Sequence, residues 1–155
     1  MSTSGPETPE AGGLHGFLEA MYGRLFRVIA TIGLPPSLIV LLETKGRRSG
    51  STRSTVLVTG SHEGERYLVS LVGPRCDWVK NARAGGGKAV IRHGRRTPVK
   101  LEEVPREERA PILKAYLKWS LGARAIIEVS HKAPVAEFEP ITGKYPVFRI
   151  VPRNG

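Results

Sequence analysis

The chain has 155 residues, 40% of them hydrophobic, which suffices for one core but hardly for two, so we expect a single domain. A single cysteine, Cys76, excludes an intramolecular disulfide and a cysteine-rich zinc site, and the four histidines lack metal-ligand spacing, so no metal is predicted. The longest mainly apolar run, residues 37–42, is too short to cross a bilayer, and residues 1–13 lack the pattern of a signal peptide. We therefore expect a cytoplasmic protein.

The formal net charge of +10 is concentrated in the middle of the chain. Residues 45–100 contain thirteen lysines or arginines and three acidic residues, whereas the rest of the chain is balanced. Because charge of one sign attracts the opposite sign, an anionic ligand is expected to bind this segment. Nucleic acid is rejected as that ligand, since the segment offers only Tyr67 and Trp78 for base stacking.

The N-terminal third of the chain predicts a tail, a helix and a strand. Residues 1–13 carry too little apolar surface to order themselves and are predicted to be a disordered tail. Apolar residues then recur at helical spacing over residues 14–32, and Pro35 and Pro36 end that helix. We expect the helix to pack on its own domain; contact with a membrane surface is the alternative that its apolar stripe and arginines also permit. The apolar run at residues 37–43 predicts a buried strand.

Four further segments predict strands that pair as two hairpins. Residues 53–59 and 66–72 flank one turn-like sequence, and residues 88–93 and 96–104 flank another. A short helix over residues 77–84 would connect the two hairpins.

The remaining elements complete an α+β fold. Asp77 is a suitable N-cap for the short helix, and the glycines at 85–87 end it. A second amphipathic helix is predicted over residues 106–120, residues 121–145 have no clear pattern, and residues 146–151 predict a last strand. About six mostly antiparallel strands and three helices predict a small β-barrel with helices packed outside.

The basic turn at residues 45–50 joins two predicted strands. Its two glycines permit backbone conformations that expose N–H groups, and Arg47, Arg48 and Arg53 can converge on one side. The planar guanidinium donates paired hydrogen bonds to anionic oxygens. The turn therefore predicts a phosphate or carboxylate site, although a basic turn on its own is more often a solvated loop.

Three motifs together resemble the deazaflavin-dependent nitroreductase family. They are ETKGRRSG at residues 43–50 with Arg53, VSLVG at residues 69–73, and DWVKN at residues 77–81. The resemblance covers residues 14–151. It implies a split β-barrel that binds coenzyme F420 and transfers a hydride between the reduced deazaflavin and an electron-poor small molecule, such as a quinone, an activated alkene or a nitro compound.

The same resemblance implies which residues contact the cofactor. The implied residues form three groups: Arg47, Arg48, Ser49 and Arg53; Ser54, Thr55, Val56, Leu57 and Val58; and Ser70, Leu71, Val72 and Gly73 with Asp77, Trp78, Val79, Lys80 and Asn81. The first group would hold the phosphate and the acidic tail, the second would run along the deazaflavin, and the third would complete the pocket with Trp78 lining it. No side chain is assigned to catalysis, because the cofactor supplies the chemistry.

Two alternatives share this fold. One is an FMN-dependent split-barrel oxidoreductase, whose arginines would bind the flavin phosphate. The other is a noncatalytic member that binds a lipid or another anion. The expected partner is a small-molecule electron acceptor, and the expected location is the cytoplasm, with the inner face of the cell membrane as the alternative if the helix at residues 14–32 binds lipid.

Overall fold

The computed structural model describes residues 14–33 and 38–153, so the predicted tail at residues 1–13 lies outside the described residues. The described strands are β1 (Ile39–Lys45), β2 (Thr52–Val58), β3 (Gly60–His62), β4 (Glu65–Val69), β5 (Lys88–His93), β6 (Arg95–Glu103) and β7 (Val147–Pro152). The helices are α1 (Leu14–Ile32), α2 (Asp77–Ala84), α3 (Arg109–Trp119) and α4 (Leu121–Ile126), with 3₁₀ segments at Arg106–Glu108 and Val135–Ile141.

The seven strands form one antiparallel sheet in the order β2-β1-β5-β6-β7-β4-β3. Its inner face carries a core that includes Val40 of β1, Leu68 of β4 and Phe148 of β7. Because strands far apart in the sheet order share this core, the sheet must curl, and it does so into a half-barrel. The predicted antiparallel barrel with outer helices is thereby confirmed.

Helices cover both faces of the curled sheet. On the inner face, Trp78 and Val79 of α2 join the core of the half-barrel. On the outer face, α3 packs against β4 and β7, with Leu113 and Tyr67 in one apolar cluster. β1 lies between this inner core and α1 on the outer face, so it is buried on both of its faces, which explains its continuous apolar run.

The first predicted hairpin is wrong, whereas the second is confirmed as β5–β6. β2 pairs with β1 across the basic turn, in a register that sets Lys45 opposite Thr52. Thr59 then carries the chain into β3, which forms the hairpin with β4 instead. The chain crosses from one edge strand of the sheet to the other at Thr59. The Thr59 N–H still donates to the Leu38 carbonyl at 2.9 Å, and the next residue begins β3 at the opposite edge.

Two smaller boundary predictions also need correction. β4 ends at Val69 and not at residue 72, because the Ser70 hydroxyl turns to donate to the Gly73 carbonyl at 2.6 Å and closes a loop. The N-cap of α2 is Cys76, and it makes no side-chain capping bond. Asp77 instead lies in the first turn, where its carboxylate favours the helix dipole.

α1 packs on the outer face of β1, as one of the two alternatives for this segment predicted. Ala30 is fully buried there, and Phe26 packs against the same cluster. Among the described residues, no helix has the length and hydropathy needed to cross a bilayer.

Candidate cofactor site

The connection between β1 and β2 is a tight turn that presents backbone donors. The Gly46 N–H donates to the Ser51 carbonyl and the Gly50 N–H donates to the Gly46 carbonyl, both at 2.8 Å. Gly50 has φ of +74°, in the left-handed region that favours glycine. Within the described chain, nothing accepts from the N–H groups of Arg48 and Ser49. These two amides are available to an anionic ligand.

Helix α2 fixes this turn through a buried amide. Asn81 is 4% exposed, and its Oδ1 accepts from the Arg47 backbone N–H at 3.1 Å and from Arg47 Nη1 at 2.9 Å. Its Nδ2 lies 3.5 Å from Thr44 Oγ1. Arg47 Nη2 also lies 3.5 Å from the Asp77 carboxylate. The guanidinium of Arg47 is therefore already occupied, and it holds the turn against α2.

Arg48 of the turn and Arg53 of β2 have no such partners among the described residues. Arg48 and Arg53 are exposed, and neither forms an ion pair or side-chain hydrogen bond with any part of the chain that the structure describes. Together with Arg47 they border a cleft of about 630 Å³, within the size range of small-molecule sites. Asp77 is the one acidic residue among its described lining residues, and Arg47 already neutralises it. The cleft thus keeps two uncompensated positive charges.

The cleft fits the acidic part of a phosphate-bearing cofactor. Two unpaired guanidinium groups and two unpaired backbone amides are all hydrogen-bond donors, which match anionic oxygens and would repel a cation. Hydroxyl groups of Ser49, Thr52 and Thr55 add further polar atoms to the same walls. The donor set therefore suits a phosphodiester and carboxylates rather than a metal ion.

The structure brings together a large part of the residues implied by the family resemblance. The lining of the cleft contains Arg47, Arg48, Ser49, Arg53, Ser54, Thr55, Asp77 and Asn81. Two further lining residues, Gly46 and Thr52, were missed by the sequence-based site assignment. Thr52 pairs with Lys45 across the turn and lies in the sequence between the implied residues Arg48 and Arg53. That position was the sequence feature by which Thr52 could have been predicted.

Ser54 lines the cleft and also accepts a hydrogen bond from Arg27 of α1 at 2.8 Å. The last three residues of β2 lie outside the cleft lining. Val56 and Val58 pack against the α1 side of the sheet, and Leu57 packs against the inner core. Their contact with the deazaflavin stays a prediction.

The loop before α2, residues 70–76, is not part of the cleft lining. Ser70 is buried, with its Oγ 3.1 Å from Cys76 Sγ, and Leu71 packs toward the α3 cluster. Val72 is 77% exposed, and Gly73 adopts φ of +96° and turns the chain. The contact of this loop with the cofactor also stays a prediction.

Within α2, the motif residues divide between the core and the surface. Trp78 is 6% exposed, and its ring centroid lies 5.4 Å from that of Phe148 in the half-barrel core. Val79 is also buried, whereas Lys80 is exposed. The burial of Trp78 favours a packing role, and its implied role in lining the pocket stays a prediction.

The curled seven-stranded sheet and its outer helices define the class of protein, a split β-barrel, and the arginine-lined cleft presents hydrogen-bond donors that suit an anionic ligand. A sequence model of the F420H(2)-dependent quinone reductase family matches residues 20–130, and the chain belongs to that family. The family resemblance of the three motifs is thereby confirmed, and coenzyme F420 is the cofactor. The protein is an oxidoreductase of the F420H2-dependent type.

Solved structures with TM-scores above 0.5 share the overall fold of this chain. A protein described as a domain-swapped dimer is 21% identical, with a TM-score of 0.52, over 88% of this chain and 98% of its own. Atu2129 of Agrobacterium tumefaciens, described as of unknown function, is 11% identical with a TM-score of 0.57, over 86% of this chain and 55% of its own. An F420-H2 dependent reductase, FDR-A, is 23% identical over 73% of this chain and 93% of its own, with a TM-score of 0.47. No curated protein matches the sequence.

Proposed function

We propose that this protein transfers a hydride from reduced coenzyme F420 to an electron-poor small molecule, with a quinone as the leading substrate class and activated alkenes and nitro compounds as the others. Membership of the F420H(2)-dependent quinone reductase family supports the cofactor and the direction of transfer. The observation that carries the proposal is the cleft with two unpaired arginines, Arg48 and Arg53, beside the anchored Arg47. When bound, the reduced cofactor supplies the hydride.

The residues of the cleft act by binding and orientation. Arg48, Arg53 and the free amides of the turn would hold the cofactor's acidic groups, while Arg47 and Asn81 keep that turn in place. Fixed orientation of the reacting groups is itself a large part of the rate acceleration in such reactions. Quinone reduction also consumes a proton, and in this proposal it comes from solvent, since Asp77 is the one carboxyl group among the described lining and is paired with Arg47.

An anaerobic turnover assay tests the reaction. With reduced F420 and menadione, the protein is expected to accelerate reoxidation of the cofactor and to form menadiol in equal amount. Reduced FMN or NADH in place of reduced F420 is the control and should give no protein-dependent rate. A rate with F420 no faster than the protein-free mixture, for quinone, alkene and nitro acceptors alike, would refute the proposed activity.

We further propose that the protein works in the cytoplasm and contacts the inner face of the membrane through α1. Leu25, Val28 and Ile32 lie on the side of α1 that faces away from the sheet and are 52%, 52% and 60% exposed. They follow one another at helical spacing, and Arg24 next to them is also exposed. An apolar stripe with flanking arginine suits an anionic lipid surface, where quinones also dissolve.

Sedimentation with vesicles tests this membrane contact. Vesicles containing phosphatidylglycerol are expected to sediment the wild-type protein, and the triple variant Leu25→Gln, Val28→Gln, Ile32→Gln should stay in the supernatant. Leu121→Gln, at an exposed apolar residue of α4, is the matched control and should bind like the wild type. Equal binding of the wild type and the triple variant would remove α1 from the contact.

A further inference from the structure

A second cavity opens at the end of the half-barrel remote from the basic turn. It has a volume of about 400 Å³ and shares no lining residue with the cofactor cleft. β1 runs from Ile39 near this cavity to Lys45 at the turn, six steps of about 3.3 Å each, so the two openings are about 20 Å apart along the strand. The cavity is therefore a separate place for a ligand.

Two arginines line this second cavity without a carboxylate partner. Arg66 of β4 donates from Nη2 to Thr59 Oγ1 at 3.3 Å, and Arg95 of β6 makes no side-chain bond with the described residues. Arg66 reaches solvent at the mouth, yet partial burial lowers its pKa below the ordinary value, and no nearby acid counteracts this. Within the described chain, no acidic residue lines the cavity. Its positive charge is uncompensated.

His93 is a third nitrogen-bearing side chain in the lining of the second cavity. The Nδ1 of His93 lies 2.9 Å from the Ile39 carbonyl oxygen, which can only accept, so Nδ1 carries a hydrogen. Nε2 then has no partner among the described residues, and the residue lines the cavity.

The inner wall of the same cavity is apolar. Leu38, Ile91 and Val99 line it, and the last two belong to the half-barrel core. A site with cations at its mouth and aliphatic side chains behind them suits a ligand with one anionic end and one apolar end. A highly charged ligand such as free phosphate would satisfy the arginines but leave the aliphatic wall in contact with water.

We propose that this cavity binds a small organic carboxylate with an apolar body. The carboxylate lies between Arg66 and Arg95, and the body packs on Leu38, Ile91 and Val99. A guanidinium pairs with a carboxylate in a planar, two-bond geometry, and a cavity of this volume admits a one- or two-ring compound. The proposal does not depend on the redox function, because no residue of the cofactor cleft takes part.

Calorimetric titration of cofactor-free protein with 2-naphthoate tests the proposal. Saturable binding at one site per chain is expected, and the double variant Arg66→Gln, Arg95→Gln should bind at least about tenfold more weakly, since hydrogen bonds to charged groups contribute this much or more. Lys132→Gln, at an exposed lysine that is not part of the cavity lining, removes a charge as a control and should bind like the wild type. Arg48→Ala should also leave 2-naphthoate binding unchanged, which separates this cavity from the cofactor cleft.

Two comparison ligands make the outcome decisive. The neutral 2-naphthamide and inorganic phosphate should each bind at least about tenfold more weakly than 2-naphthoate. The amide lacks the negative charge that pairs with the arginines, and phosphate lacks the apolar body that packs on the aliphatic wall. No saturable binding of 2-naphthoate, or unchanged binding by the double variant, would overturn the proposal. So would binding of the amide or of phosphate as tight as that of 2-naphthoate.

Discussion

Replacing Arg48 and Arg53 together by alanine is expected to weaken F420 binding more than about a hundredfold. Hydrogen bonds to charged groups are worth about 1.5–3 kcal/mol each, and two lost guanidinium contacts exceed the 2.8 kcal/mol or so that corresponds to a hundredfold change. The unfolding free energy should change by less than about 0.5 kcal/mol, because neither side chain has a partner among the described residues. Replacing these two residues is thus predicted to weaken F420 binding and to leave the unfolding free energy almost unchanged.

Fluorescence titration of F420 and urea denaturation of the cofactor-free protein measure the two quantities. Arg24→Ala, at an exposed arginine of α1 outside the cleft lining, is the matched control and should keep wild-type affinity. Arg47→Ala should differ from the double variant by also lowering stability, since it leaves the buried Asn81 Oδ1 with one donor fewer. A double variant that binds F420 within about threefold of the wild type would contradict the role of the turn.

Truncation of Trp78 is expected to have the largest effect on stability. Trp78→Ala should lower the unfolding free energy of the cofactor-free protein by about 3–5 kcal/mol, the usual cost of removing a large aromatic side chain from a core. The ring is 6% exposed and packs on Phe148 with centroids 5.4 Å apart. It also anchors α2, and hence Asn81, on the inner face of the half-barrel.

Thermal and urea denaturation of Trp78→Ala check this expectation. Trp119→Ala is the control: this tryptophan is 40% exposed and donates from Nε1 to the Ser61 carbonyl at 3.0 Å, so its loss should cost about 1 kcal/mol. Trp78→Phe should recover most of the lost stability, because it refills much of the volume. If Trp78→Ala costs less than about 1 kcal/mol and mainly impairs F420 binding, the residue lines the pocket instead of filling the core.

Elements with a strong local signal were predictable from the sequence. The β5–β6 hairpin has a turn between two alternating runs, and α2 ends at the glycines at 85–87. β1 has a continuous apolar run because α1 covers one face and the inner core covers the other. In each case the pattern depends on residues close in the chain, which is where sequence reasoning is strongest.

The pairing of β2 was not predictable in the same way. Both the basic turn and the turn after residue 60 fit a hairpin, and the local patterns of β2 do not distinguish its two possible partners. The choice depends on the curl of the whole sheet, which places β2 and β3 at opposite edges although Thr59 alone separates them. Residues 121–145 escaped assignment because α4 is short and is fixed mainly by the Ser120 side chain, which accepts from the Ala123 N–H at 3.2 Å.

The candidate site, too, combines features that neighbouring residues predict with contacts that depend on residues far apart in the chain. The basic turn with its two arginines and the nearby Arg53 could be predicted from the sequence, but the different surroundings of the three arginines could not. Arg47 is occupied because Asn81, 34 residues further along the chain, accepts from it, while Arg48 and Arg53 remain unpaired among the described residues. Identical side chains thus differ in their surroundings: Arg47 holds the turn, and the other two arginines are proposed to offer charge to a ligand.

Titration of the wild-type protein with oxidised F420, followed by the cofactor's fluorescence and compared with FMN, most directly tests the central claim that the arginine-lined cleft holds the acidic tail of the deazaflavin. Saturable binding at micromolar protein is expected for F420, weakening with added salt as charge-mediated contacts are screened. FMN, which lacks that tail, should bind at least about tenfold more weakly. Absence of saturable F420 binding, or tighter binding of FMN, would contradict the claim.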